Sequence, residues 1–405
     1  MKVFQLNTFC GIKSTGRIAA EIALLLEEQG HVCRIGYGAE APPVKWERFA
    51  YRVGGPIERK VHGAIRKFFD AEGYGSQLGT LRLIRELKRF QPDIIHLHNI
   101  HGCYLHFGIL FRYLKKNRIP LIWTLHDCWP MTGHCAYFEY AKCFKWQAEC
   151  GHCPQLLNYP PCYGLDGSKR NLRHKKALFS GLPAMSWVTP SNWLKTYVEE
   201  SWLNQYPAQV IYNGVDLSVL APADVEENTK LRQKHRITAK HVVLAVAADW
   251  DGRKGLSYLL EAVKQWDEDY QLVVIGLSEA QINELPAGIL GIAATKDVSE
   301  LKAWYSLADC LANPTMEDNM PMVNLEALAC GTPVVVFSTG GCPEVIDDTC
   351  GRVIPQGDAE ALAKAVQDIA PLKEQLSAGC RARAKQLESR SCYLQYVQRY
   401  EELLE

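Results

Sequence analysis

The sequence predicts an α/β protein made of two doubly wound domains, and three observations carry that prediction. Short apolar runs alternate with segments of helical period, the pattern of parallel βαβ units. The alternation begins at Lys2 and restarts near His241, after the turn-forming string Asn213-Gly214-Val215-Asp216. A chain of 405 residues also exceeds what one hydrophobic core ordinarily organises.

The elements follow in order. Residues 2–6 read as a strand, 7–16 as a loop rich in Gly, Ser and Thr, and 18–29 as a helix stopped at Gly30. A second strand is expected over 32–36. Residues 57–69 form a helix with Ile57, Val61, Ala64, Ile65, Phe68 and Phe69 on one face and Arg59, Lys60, Arg66 and Lys67 on the other. That face is either packed in the core or laid on an anionic membrane surface. Strands are expected over 94–97, 121–125 and 185–189, and 210–216 reads as a strand running into a turn. The second half offers strands over 241–248, 270–275, 310–312 and 333–337, with a helix over 256–266. After Asp358 the pattern is helical to the end. The division expected is 1–216, 217–384 and a last helix over 385–405.

Net charge is zero and apolar content 47%, so no global field points to nucleic acid. No apolar run approaches the roughly 20 residues of a membrane span. The opening Met-Lys-Val-Phe-Gln-Leu-Asn reads as a strand rather than a signal core. Fifteen cysteines in a long chain without a leader fit a reducing cytosol.

The most informative stretch is 314–337: Pro-Thr-Met-Glu-Asp-Asn-Met-Pro-Met-Val-Asn-Leu-Glu-Ala-Leu-Ala-Cys-Gly-Thr-Pro-Val-Val-Val-Phe. It reads as a polar loop, a helix opened by Pro321, a stop at Gly331 and a strand buried on both faces. Asp318 precedes the helix and Glu326 lies about two turns into it, so both carboxylates can border one crevice. Backbone N–H groups at the helix start favour an anion there. Upstream, Ala247-Ala248-Asp249-Trp250-Asp251-Gly252-Arg253-Lys254-Gly255 joins a strand to a helix. A basic pair at a helix start is unfavourable unless an anion sits beside it, so Arg253 and Lys254 are diphosphate candidates. Gly11-Ile12-Lys13-Ser14-Thr15-Gly16-Arg17 follows the first strand and lacks both the phosphate-loop order and the dinucleotide spacing. Trp123-Thr124-Leu125-His126-Asp127 ends another strand with His126 and Asp127 at its carboxyl end, and His96, His98 and Asn99 end a third. No Gly-Xaa-Ser-Xaa-Gly elbow supports a serine hydrolase.

Cys135, Cys143, Cys150 and Cys153 are separated by seven, six and two residues. They could close a tetrahedral zinc site, with His134 or His152 replacing a thiol. Free thiols and disulfides are the other readings.

Residues 314–337 resemble the signature of retaining family 4 glycosyltransferases of the GT-B fold, with Glu326 as the second acid and Asp318, beside Glu317, where the family usually has Glu. The resemblance covers nearly the whole chain, and the Cys-rich block over 133–162 is similar to an insertion of colanic-acid-type enzymes. It implies two Rossmann-like domains facing across a cleft, the last helix returning to the first. It implies hexosyl transfer from a UDP- or GDP-linked sugar to a saccharide acceptor, expected to be lipid-linked, in cell-surface polysaccharide synthesis. His126, Asp127, Lys254 and Asp318 would then serve catalysis. Gly16, Arg253, Lys254, Glu317, Asp318, Asn319, Met320, Pro321 and Glu326 would bind the donor. No cofactor would be required for the transfer itself, and the protein would be cytoplasmic, visiting the inner membrane face peripherally. A GT-B sugar-nucleotide 2-epimerase and a silent sugar-nucleotide-binding protein are the alternatives.

Overall fold

A computed structural model describes residues 1–405. The chain divides into two compact units, Met1–Tyr212 with Arg390–Glu405, and Asn213–Ser389. Both boundaries lie a few residues from those expected from the sequence.

The first unit carries a seven-stranded parallel sheet: β1 (Lys2–Asn7), β2 (Val32–Tyr37), β3 (Ala50–Arg52), β4 (Ile94–Leu97), β5 (Leu121–Thr124), β6 (Met185–Thr189) and β7 (Ala208–Val210). Their spatial order is β3-β2-β1-β4-β5-β6-β7. The order reverses between β1 and β4, which pair in parallel from Val3–Ile94 to Leu6–Leu97. Such a reversal opens a crevice at the carboxyl ends of the two strands, where ligands bind in doubly wound folds. The central strands are buried and mostly apolar because helices cover both faces. On one face Trp123, Phe111, Phe179 and Trp187 interlock. On the other, Ile18, Ile22 and Leu26 of the helix Lys13–Glu28 meet Tyr393, Tyr396 and Tyr400 of the last helix, Ser389–Leu404. Polar bonds to the sheet help secure that last helix: His96 Nδ1 lies 2.7 Å from the Tyr400 hydroxyl, the Tyr396 hydroxyl 3.1 Å from Thr124, and Arg399 donates to Ser186 at 3.0 Å.

The second unit carries six parallel strands: β8 (His241–Val246), β9 (Tyr270–Ile275), β10 (Leu290–Ile292), β11 (Cys310–Asn313), β12 (Val334–Phe337) and β13 (Gly351–Ile354). Their order β10-β9-β8-β11-β12-β13 places the switch between β8 and β11. The helix Met322–Ala329 joins β11 to β12, and Gly331, at φ +79°, ends it in the left-handed conformation that glycine adopts freely.

The helix Pro56–Phe69 departs from the core-packed reading. Its apolar stripe faces outward, with Ile57 79%, Val61 55% and Phe68 58% exposed, while His62 is fully buried. Arg66 is also turned inward, donating to the Pro161 carbonyl at 3.0 Å.

Candidate active site

In the second unit, three loops at the carboxyl ends of β8, β11 and β12 converge. The β8 loop closes into a 3-10 turn, Gly252–Lys254, whose carbonyl at Arg253 accepts from the Met316 amide at 2.7 Å. Gly255 makes this approach feasible: at φ +80°, an added Cβ would stand 2.0 Å from the Pro314 carbonyl oxygen. Lys254 is thereby aimed at the loop after β11, and its Nζ lies 2.6 Å from Asp318 Oδ2. The β12 loop presses on the same residue, because a Cβ on Gly340 would sit 1.7 Å from the Asp318 carbonyl oxygen. The sequence reading did not single out Gly340, a glycine in an unremarkable Ser-Thr-Gly-Gly string.

Glu326 is 3% exposed, and its Oε2 accepts from the Tyr305 hydroxyl at 2.9 Å. Asn324 and Asn313 tie the helix to β11 at 2.8 Å. Glu317, Asn319 and Met320 are buried in the same loop, and the Met320 carbonyl accepts from Asn213 at 3.1 Å. Pro321 caps the helix from outside rather than occupying its first turn, so the leading amides are those of Met322 and Val323. They have no helical carbonyl one turn behind them, which suits an anion. Arg253 differs from expectation. Its guanidinium folds onto Asp251, at 2.9 and 2.7 Å, leaving Lys254 as the cation that meets Asp318.

In the first unit, a polar relay runs through the sheet. The Gln5 amide nitrogen donates to the Ala19 carbonyl at 2.9 Å, so its oxygen accepts from His98 Nε2 at 2.8 Å. His98 Nδ1 is then an acceptor and lies 3.0 Å from His126 Nε2, assigning that proton to His126. The two rings lie nearly parallel, 14° apart with centroids at 5.3 Å, as an edge-to-edge hydrogen bond requires. Burial pulls the His126 imidazole down to about 4, so it is neutral near pH 7. His96, between Tyr400 and Thr124, is a packing residue.

Asp127, the residue after His126, is hydrogen-bonded by groups of its own loop and of the loop after β4. It bonds His101 Nε2 at 2.9 Å and accepts from the Trp129 amide at 2.9 Å. Burial alone would raise the Asp127 carboxyl, but His101 and the Trp129 amide hold it below the ordinary range. Gly16 is likewise not an open loop residue. It lies in the first turns of Lys13–Glu28, where an added Cβ would meet Phe9 Cβ at 2.9 Å.

A basic cavity of about 460 Å³ also lies in this unit, lined by Arg52, Arg59, Lys60, Arg66, Trp129 and Tyr159 among others. Glu72, its one acid, accepts from the Gly102 and Cys103 amides at 3.1 and 2.9 Å and stands 4.0 Å from Arg66. Arg52 and Lys60 line the cavity without an ion pair. Residue spacing gave no sign of this cavity, because Arg52 reaches it from an edge strand remote in sequence from Tyr159.

Residues 15–219 match the family model described as Glycosyltransferase Family 4, and residues 240–370 that of Glycosyl transferases group 1. The chain is 26% identical over 313 residues to the putative colanic acid biosynthesis glycosyl transferase WcaC of Escherichia coli K12, covering 74% of this chain and 73% of that one. Its fold resembles sucrose-phosphate synthase of Thermosynechococcus elongatus, with TM-score 0.74, 17% identity and coverage of 99% and 98% of the two chains. It also resembles Anabaena Alr3699/HepE in complex with UDP-glucose, with TM-score 0.68, 16% identity and coverage of 99% and 100%. These neighbours are GT-B glycosyltransferases, so the two Rossmann-like units form that fold.

Proposed function

The chain belongs to glycosyltransferase family 4, and we propose that it moves a hexosyl group, with retention of configuration, from a nucleotide-diphosphate sugar to a lipid-linked saccharide. The observation that carries this reading is the pairing of Lys254 with Asp318 just before the start of the helix Met322–Ala329, which also carries the buried Glu326. A departing nucleoside diphosphate gains charge as the glycosidic bond breaks. Lys254 and the leading helix amides would offset that charge, and Glu326 would accept from the ribose hydroxyls. The binding of UDP-glucose by a protein of the same fold supports a nucleotide-sugar donor. A front-face transfer fits the commitment of Asp127 to His101, since a double displacement needs a carboxylate free to attack the anomeric carbon.

The acceptor would approach the first unit. The basic cavity suits a diphosphate or acidic sugar, and the outward stripe of Pro56–Phe69 suits a lipid surface. No helix of the chain is long and apolar enough to cross a membrane, so attachment would be peripheral, at the inner face. The biological setting would be cell-surface polysaccharide synthesis, as the name of WcaC suggests.

The test is incubation with UDP-, GDP- and ADP-hexoses, with and without polyprenyl-diphosphate saccharides, followed by mass spectrometry. An acceptor one hexose heavier is the expected product. Isomerised sugar nucleotide formed without acceptor would replace this reading with the epimerase. Failure to bind any sugar nucleotide would remove both.

A further inference from the structure

Residues 133–162 contain only one regular element, the 3-10 turn Lys145–Gln147. Their cysteines nevertheless converge. Cys135, Cys143, Cys150 and Cys153 line one cavity of about 10 Å³, room for a single ion or water and no organic ligand. Trp146 and Ser168 share the lining with the four thiols. Gly133 permits the closure: an added Cβ would stand 2.8 Å from Cys150 Cβ and 2.2 Å from the Ser168 carbonyl oxygen.

His134 lines the same cavity and is 2% exposed. Its Nδ1 lies 2.6 Å from Asp70 Oδ1, and the other Asp70 oxygen accepts from the Gly167 amide at 3.1 Å. The carboxylate keeps the proton on Nδ1, so Nε2 presents a lone pair. That buried nitrogen has no hydrogen-bond partner, a costly arrangement unless something occupies the cavity. An imidazole oriented by a carboxylate, with its second nitrogen open beside thiols, is the outer-shell arrangement of a metal-bound histidine. The ligand atoms of this set do not all lie within 4.8 Å of one another as those of His62, Glu72 and Cys103 do, but that tighter cluster is already satisfied. His62 bonds Ser76 and the Gly73 amide, and Glu72 bonds two amides.

We propose that the cavity holds one structural zinc ion bound by Cys135, Cys150, Cys153 and His134, with Asp70 positioning the imidazole. Three thiolates and an imidazole suit tetrahedral zinc and leave no open position for substrate. Cys143 lines the same cavity and is left outside the shell because His134 supplies the fourth ligand. The ion would pin the block whose Ala136, Tyr159 and Pro160 wall the basic cavity.

The test uses the full chain purified without chelator. Elemental analysis should give about one zinc per chain, and cobalt exchange should produce thiolate charge-transfer bands. Cys153→Ser should lose the metal and Cys143→Ser keep it. Asp70→Asn should weaken zinc affinity about 10- to 100-fold, the range of such outer-shell changes, with circular dichroism confirming that the variant folds. Zinc near zero with all four thiols alkylated in the folded protein would overturn the proposal, as would iron with visible absorbance. Metal lost in Cys143→Ser but retained in His134→Asn would overturn this ligand set in favour of four thiolates.

Discussion

Glu326→Gln isolates the contribution of one charge to donor binding. The carboxylate is 3% exposed and accepts from the Tyr305 hydroxyl at 2.9 Å. Gln preserves the volume and an acceptor for Tyr305, so neither a cavity nor a stranded hydroxyl complicates the result. What disappears is the negative charge that strengthens bonds donated by a ribose. Charge-assisted hydrogen bonds contribute about 1.5–3 kcal/mol, which corresponds to a roughly 10- to 150-fold rise in the nucleotide dissociation constant. Tyr305→Phe removes only the orienting bond and should cost about 1 kcal/mol. Calorimetric titration of UDP and GDP into each variant measures both effects. A dissociation constant for Glu326→Gln within about twofold of wild type, against the roughly tenfold or greater rise expected, would refute the ribose assignment, provided thermal unfolding is unchanged.

Lys254→Ala should lower turnover at saturating donor more than it lowers donor affinity, because leaving-group charge peaks in the transition state; an effect on affinity alone would make Lys254 a binding handle. Co-sedimentation with anionic vesicles should fall when Lys60 and Lys67 become Glu, each charge contributing about 1 kcal/mol near the surface, and again when Ile57 and Phe68 become Asp. Equal recovery with neutral vesicles would reject membrane contact. His96, His98 and His126 are held neutral by burial, with His126 near 4 against an ordinary 6.5. Their folded values lie below the unfolded one, so their contribution is complete above pH 6.5 and is lost as pH falls toward 4; a melting temperature that rises over that interval would contradict it. Tyr400→Phe removes the bond to His96 Nδ1 and should destabilise the first unit by about 1–3 kcal/mol, read by denaturant unfolding.

The two α/β units, the major strands and the loop–helix–strand order of residues 314–337 are determined by the sequence alone. Apolar runs flanked by glycines and helical periodicity are local signals, and burial on both faces makes central parallel strands conspicuous. The edge strands β3, β10 and β13 escaped notice because three or four residues carry too little pattern. What tertiary structure decided is which polar groups meet. Asp127 sits next to His126 in sequence yet bonds His101, and Arg253 turns to Asp251 while Lys254 reaches Asp318. Asp70 meets His134 across 64 positions, and His96 meets Tyr400 across 304. Hydrophobic patterning requires only that a side chain lie inside, whereas a hydrogen bond requires two atoms to meet within about 3 Å. That second condition depends on how separate elements pack, and no local run of residues encodes it.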